Sequence, residues 1–335
     1  MTGPARNILI ACLALALGAP ALAQPAAKKS MPLPKPAPTA RPGDANAGSG
    51  DAGKIDVAYG AYQRGYYLTA FSEATKRAGQ NDPAAMTLLG ELYANGQGIG
   101  RDDTKAAQWY KLAADHGDRD AIFALAMFRF EGRAGPRDPD EGARLLAQAA
   151  KLGHPAANYD LGLLYLQGQQ FDQDFKHAAA LFQTAADAGN PEAQYALATM
   201  YKAGRGVPKD SKRAAQLLQQ AAIAGNLDAM VEFAIAQFNG EGTAKDESAA
   251  ARLFLAAARR GSPIAQNRLA RILMAGRGLP ADPTQAIRWH IISKAAGAGD
   301  PELDLFASKQ PQAVRDAAEK AAKKWQSTMV ALKPN

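Results

Sequence analysis

The chain has 335 residues, 47% of them hydrophobic, a single cysteine and a formal net charge of +7. One cysteine excludes an internal disulfide framework and a thiolate metal cluster. Lys and Arg are mixed with Asp and Glu along the whole sequence, which describes a solvated basic surface and not a nucleic-acid footprint.

Residues 1–23 read as an export signal, with Arg6 before an apolar stretch from Ile8 to Ala19 and Ala21-Leu22-Ala23 as a small-x-small cleavage site before Gln24. That stretch is too short to span a bilayer comfortably, and no later segment is long enough. Leu9-Ile10-Ala11-Cys12 fits the pattern before a lipidated cysteine, but apolar sequence continues past Cys12 and the lipoprotein reading is set aside. Cleavage at Ala23 would remove Cys12. Residues 24–54 carry Lys28, Lys29 and prolines at 32, 34, 36, 38 and 42, then turn to Gly, Ala, Ser and Asp. Such a segment has little to bury and reads as a flexible tether. The expected location is periplasmic or secreted.

A shortened helical unit follows from about Ile55 to Gly79, with Gly65 between Val57–Gln63 and Tyr67–Arg77. From Asp82 onward one pattern recurs six times at a spacing of 36 residues. Gly96, Gly132, Gly168, Gly204, Gly240 and Gly276 hold one register; Asp102, Asp138, Asp174, Asp210, Asp246 and Asp282 hold another. Asp82-Pro83 predicts a capped helix start, repeated as His154-Pro155, Asn190-Pro191, Ser262-Pro263 and Asp300-Pro301. Met86, Leu89, Leu92 and Tyr93 make the first helical stripe, and Gly96 and Gly98 turn the chain. Asp102 caps a second helix with Ala106, Trp109, Tyr110 and Ala113 inward. Small residues after each buried leucine, such as Gly90, Ala126 and Gly162, mark the closest helix approach. The fold class is therefore all-α, an α/α superhelical solenoid spanning 55–301 as one elongated body. Residues 302–335 read as capping helices: Val314, Ala318, Ala321 and Trp325 face the last repeat, while Lys320, Lys323 and Lys324 face water. With both ends covered, the chain is expected to be a monomer in isolation.

The unit Ala-x-x-x-Leu-Gly-x-x-Tyr-x-x-Gly-x-Gly-x-x-x-Asp, closed by Ala-Ala-x-x-Gly, closely resembles the Sel1-like repeat family, relatives of the tetratricopeptide repeat. Arg129 and Gln237 replace the tyrosine, and Ala134 and Gln170 replace the second glycine, so the third turn, Gly168 to Phe171, is expected to be less regular. The resemblance implies adaptor and regulatory proteins that gather partners. Exported members resemble envelope regulators that restrain a membrane sensor kinase, or factors in cell-surface and host interaction. A β-lactam-binding role linked to disulfide-rich relatives is not carried over, because their cysteines are missing here.

Nothing in the sequence assembles catalysis. The Gly-x-Gly pairs lack the strand context and the Lys-Ser/Thr end of a phosphate loop. His116, His154, His177 and His290 share no repeat position and no neighbouring ligand on one face. Acidic pairs such as Asp102-Asp103 suit helix N-termini. The chain reads as non-enzymatic, with no cofactor and no metal. In tetratricopeptide-like stacks the first helices line the concave groove. That register places Phe123, Met127, Phe130, Tyr159, Leu163 and Leu166 there as an apolar cluster, with Tyr195, Lys202, Phe238 and Arg271 farther along. The expected ligand is a cell-envelope protein partner, possessing apolar anchors and some acidic character, on an adaptor or regulator. The alternative is a cell-envelope polymer, peptidoglycan fragments or an acidic polysaccharide, held through Lys202 or Arg271. Neither nucleic acid nor an integral membrane segment is expected.

Overall fold

The computed structural model describes residues 56–331, with side chains through 328. The expected export signal (1–23) and tether (24–54) lie outside the described residues. Among the described residues there are sixteen helices and no strand, and they fall into two compact units divided between Asn190 and Pro191.

The N-terminal unit holds α1 (Val57–Gln63), α2 (Tyr67–Ala78), α3 (Pro83–Asn95), α4 (Asp103–Asp115), α5 (Arg119–Glu131), α6 (Pro139–Lys151), α7 (Pro155–Gln167) and α8 (Phe175–Asp187). From α4 on, each second helix starts at an aspartate whose carboxylate accepts an otherwise unpaired backbone N–H, whereas α2 starts at Tyr66 with no side-chain cap. Asp102, Asp138 and Asp174 take those of Lys105, Glu141 and His177 at 2.9–3.0 Å. A cap of this kind is worth about 1 kcal/mol. At α7 the cap is an imidazole: His154 Nδ1 accepts from Ala157 N–H at 3.0 Å, which fixes that nitrogen as unprotonated. Ala134 takes a left-handed backbone (φ +56°) in the slot that Gly98 fills (φ +73°), while Gln170 does not join them. In that third turn Phe171 instead stacks on Tyr165 at 4.9 Å, and His177 lies 4.3 Å from the same ring.

The helices of a pair meet at the small residues the sequence marked. A Cβ on Gly90 would stand 2.5 Å from Cε1 of Tyr110, and one on Gly162 would stand 2.6 Å from Cε1 of Phe182. In the repeat between them the same slots hold buried Ala126 and Leu146. In these three pairs glycine accompanies a ring and alanine an aliphatic side chain.

The C-terminal unit holds α9 (Pro191–Ala203), α10 (Ser211–Ile223), α11 (Leu227–Asn239), α12 (Glu247–Arg259), α13 (Pro263–Ala275), α14 (Pro283–Ala295), α15 (Pro301–Ser308) and α16 (Gln312–Ala331). Asp210, Asp246 and Asp282 repeat the same caps at 2.8–3.0 Å. The glycine turns press on the preceding repeat: a Cβ on Gly242 would lie 1.9 Å from the Ser211 carbonyl oxygen, and one on Gly278 would lie 2.2 Å from that of Glu247. Helix α16 lies against α14, with Ala318 and Ala322 fully buried. Half-buried Trp325 meets buried Trp289 edge-on at 5.8 Å. The full burial falls on Ala322, one residue beyond the expected Ala321, while Lys320, Lys323 and Lys324 are exposed as expected.

Two outcomes follow from this packing. Gly90→Ala should lower the urea midpoint by an overpacking cost of roughly 1–3 kcal/mol, since its methyl meets the Tyr110 ring. Adding Tyr110→Leu should recover part of that loss, so the double-mutant cycle shows a favourable coupling; strict additivity would refute the contact. Trp325→Ala should cost about 1–3 kcal/mol, below the roughly 3–5 kcal/mol of a fully buried tryptophan. Light scattering on wild type and variant tests the expected monomer at the same time.

Candidate partner-binding face

The first helices carry the face on which the sequence placed a ligand. In the N-terminal unit, Phe123, Met127 and Phe130 on α5 are half-buried. The Phe123 ring lies on the His154 imidazole, 4.3 Å between centroids and 17° from parallel. Phe130 settles over Gly142, whose missing Cβ would come within 3.0 Å of the ring. On α7 the expectation of an open apolar cluster is corrected: Tyr159, Leu163 and Leu166 are only 2%, 1% and 1% exposed. The reason lies in α7 itself. Its sequence, PAANYDLGLLYLQ, is apolar almost all round, and buried residues lie on every side of it. A helix of that kind is a core helix, not an amphipathic one.

In the C-terminal unit, Tyr195 on α9 is half-buried, and burial, aided by Asp228 and Glu232, pushes its hydroxyl pKa up. The two cations expected to greet a ligand are already engaged. Lys202 pairs with Glu232. Arg271 grips Asp300 with two bonds, Nε to Oδ2 at 2.6 Å and Nη2 to Oδ1 at 3.0 Å, and reaches Glu302 through Nη1 at 2.7 Å. Burial works to raise the Asp300 pKa, yet the bonds from Arg271 and Asn267 hold it below the ordinary value. Arg271 therefore clasps α13 to the start of α15, where Asp300 is only 5% exposed.

Beside Arg271 a cavity of about 340 Å³ opens between the first helices α11 and α13. Its floor is apolar: Ile235, Phe238, Phe254, Ile272 and Met274. Arg268, Arg271, Arg277 and Glu302 form its charged border. Arg277 lies 4.4 Å from the centroid of half-buried Phe238 and bonds to Glu247 through Nε at 3.3 Å and through Nη2. Exposed Arg268 has no ion-pair partner among the described residues. A second cavity of about 340 Å³ shares Ile235, and Lys202, Lys209, Ser211, Glu232 and Glu241 line it beside apolar Ala214, Ala215 and Leu218. Of these groups the sequence analysis anticipated Phe238 and Arg271 on the first helices. It missed Arg268 and Arg277. Arg268 is one residue past the register used to define the face, and Arg277 comes from the turn.

The histidines remain apart. His290 fills the buried slot equivalent to Tyr110 and Phe182, yet it has a carboxylate neighbour the sequence reading did not find. Its Nε2 is 2.8 Å from Asp304 Oδ1, and Lys294 Nζ donates to that oxygen at 2.7 Å. The Ser293 hydroxyl donates to the His290 carbonyl at 3.0 Å, so it is not directed at the imidazole. Among the described residues no group of three or more His, Cys, Asp or Glu side chains is placed to hold a metal ion, and no helix is long and apolar enough to cross a membrane.

Uniform antiparallel helix pairs, joined through alanine and glycine and bearing a lateral cleft, define a helical-repeat scaffold. More specifically, the chain belongs to the Sel1 repeat family, whose sequence model matches residues 83–118, 119–154, 155–190, 191–226, 227–262 and 263–297. Members generally mediate protein–protein interactions and are typically non-catalytic. The chain is similar to a Sel1 repeat protein from Oxalobacter formigenes, with 30% identity over 71% of this chain and 98% of the other, at a TM-score of 0.63. It is also similar to a protective antigen of uropathogenic Escherichia coli strains that displays an SLR fold, with 25% identity over 80% and 68% of the two chains and a TM-score of 0.55. No curated protein matches the chain.

The cleft border has a checkable acid response. Hydrogen bonds from Arg277 and then Lys245 lower the Glu247 pKa from its ordinary 4.5 to about 2. A depressed carboxylate stabilises the fold fully above its unfolded pKa, and that contribution is lost as pH falls toward the folded value. The urea midpoint should therefore fall between pH 4.5 and 2, by less in Arg277→Gln than in wild type. The difference should shrink in high salt, since the pair is exposed. Parallel curves for the two proteins would exclude the pair as a contributor.

Proposed function

We propose that the chain is a non-enzymatic adaptor or regulator of the cell envelope, exported to the periplasm, that binds a protein partner through its first-helix faces. The observation that carries this reading is the cleft between α11 and α13, where Phe238 and Met274 remain accessible beside guanidinium groups. Family membership supports a protein ligand. The sequence of residues 1–23 supports export. A restrained envelope signalling protein is the narrower form of the partner and rests on the resemblance alone. The polymer alternative required Lys202 or Arg271 to receive an acidic ligand, and both already hold carboxylates. This favours the protein reading.

A photocrosslinking amino acid in place of Phe238 should yield a discrete protein adduct in intact cells, and one in place of Ile223, 80% exposed at the end of a second helix, should not. Fractionation of the same cells should recover chain and adduct with the periplasm. Adducts of equal yield from both positions would refute the face, and recovery in the cytoplasm would refute export.

A further inference from the structure

The geometry points to an acidic protein segment as the occupant of the α11–α13 cleft, seated by one large apolar side chain and held by a neighbouring Asp or Glu on Arg268. The inference rests on the protein-binding reading above and adds the chemistry of the partner.

Three observations select this occupant. The cavity of about 340 Å³ lies at the lower end of the roughly 300–1,000 Å³ typical of ligand sites, suited to one anchor side chain with its backbone. Its floor of Ile235, Phe238 and Met274 offers apolar contact and few hydrogen-bonding groups, so the anchor is aliphatic or aromatic. One face of Phe238 is covered by the Arg277 guanidinium, which removes the open aromatic platform that a sugar ring would use.

The charges then choose the anchor's neighbour. Arg271 spends its donors on Asp300 and Glu302. Arg277 commits Nε and Nη2 to Glu247 and keeps Nη1. Arg268 lines the same cavity, is exposed, and keeps its whole planar fork. A guanidinium fork matches a carboxylate with two parallel bonds, and beside an apolar floor that bond is less screened than in open water. A basic segment would meet the unpaired Arg268 and find no free counter-charge, since Asp300 and Glu302 are held by Arg271 and Glu247 by Arg277.

Random peptides displayed on phage, selected on the purified protein, test this directly. The expected winners carry an aromatic or large aliphatic residue close to Asp or Glu. Synthetic versions should crosslink from a photoreactive residue at position 274. Arg268→Glu should weaken them about tenfold or more, the effect of reversing one charged hydrogen-bonding partner. Lys323→Glu makes the same charge change on the exposed side of α16 and should leave binding within about twofold if net charge is not the cause. Arg268 is exposed, so its variant is expected to keep the wild-type urea midpoint, which is measured alongside. Absence of enrichment, winners rich in Lys or Arg, equal weakening by the two variants, or crosslinks only from outside the cleft would each overturn the inference. The cellular adduct from position 238 separates the two claims. If it persists in Arg268→Glu, the scaffold reading stands and the acidic-segment reading falls; if no adduct forms even in wild type, the scaffold reading falls first.

Discussion

The contact on which each unit depends is the pressing of one repeat's turn against the second helix of the repeat before it. A Cβ on Gly242 would lie 1.9 Å from the Ser211 carbonyl oxygen, and one on Gly278 would lie 2.2 Å from that of Glu247. In the N-terminal unit a Cβ on Gly98 would meet the Tyr67 Cβ at 2.7 Å. Backbone against backbone leaves no flexible side chain to yield, so the spacing of neighbours is set more firmly there than by the apolar core alone. The residue between the two turn positions completes the joint. Arg133 bonds Asp103 at 3.1 Å through Nε and the Ala94 carbonyl at 3.0 Å, and Arg277 does the corresponding work on Glu247. The bonds from Arg133 and then Arg101 hold the Asp103 carboxyl well below the usual range. Nearest-neighbour joints of this type are what a quasi-one-dimensional fold is made of.

Much of this architecture was legible in the sequence because it is local. Caps at Asp102 or Asp246, helix ends at Gly96 or Gly276, and close approach at Gly90 all depend on residues within one unit. What escaped is what crosses between units of the repeat. Lys202 pairs with Glu232 and Arg277 with Glu247, each 30 positions apart, and Arg271 with Asp300 at 29. A side chain read against its own helix looks solvated. Read against the position one period away, less the width of a turn, its partner comes into view. Asp304 is likewise not visible from His290 in the sequence, because the cap helix α15 breaks the 36-residue period.

The burial of Tyr159, Leu163 and Leu166 has a different origin. The face register is a count along each first helix taken from tetratricopeptide-like stacks, and such a count loses its meaning on a helix that is apolar on all sides. Asn158, Tyr159, Asp160, Leu161, Gly162 and Leu163 are buried in succession on α7. No stripe remains to orient it. On α11 the polar residues Asp228, Glu232 and Gln237 restore the contrast, and there Phe238 is half-buried and lines the cavity.

What lies opposite Phe238 and its counterpart Phe130 differs by a single methyl group. The two phenylalanines share one register, and the second-helix residues opposite them, Gly142 and Ala250, share another. Over Gly142 the Phe130 ring lies so close that a Cβ would stand 3.0 Å from its carbons. Ala250, itself fully buried, puts a methyl group into that space. Both rings are half-buried, and Phe238 has one face under Arg277 and lines the cavity. Neither residue is unusual for a repeat of this kind. Gly or Ala opposite a Phe gives one slot of the repeat two different surroundings, which is how a nearly uniform scaffold acquires places that differ from one another.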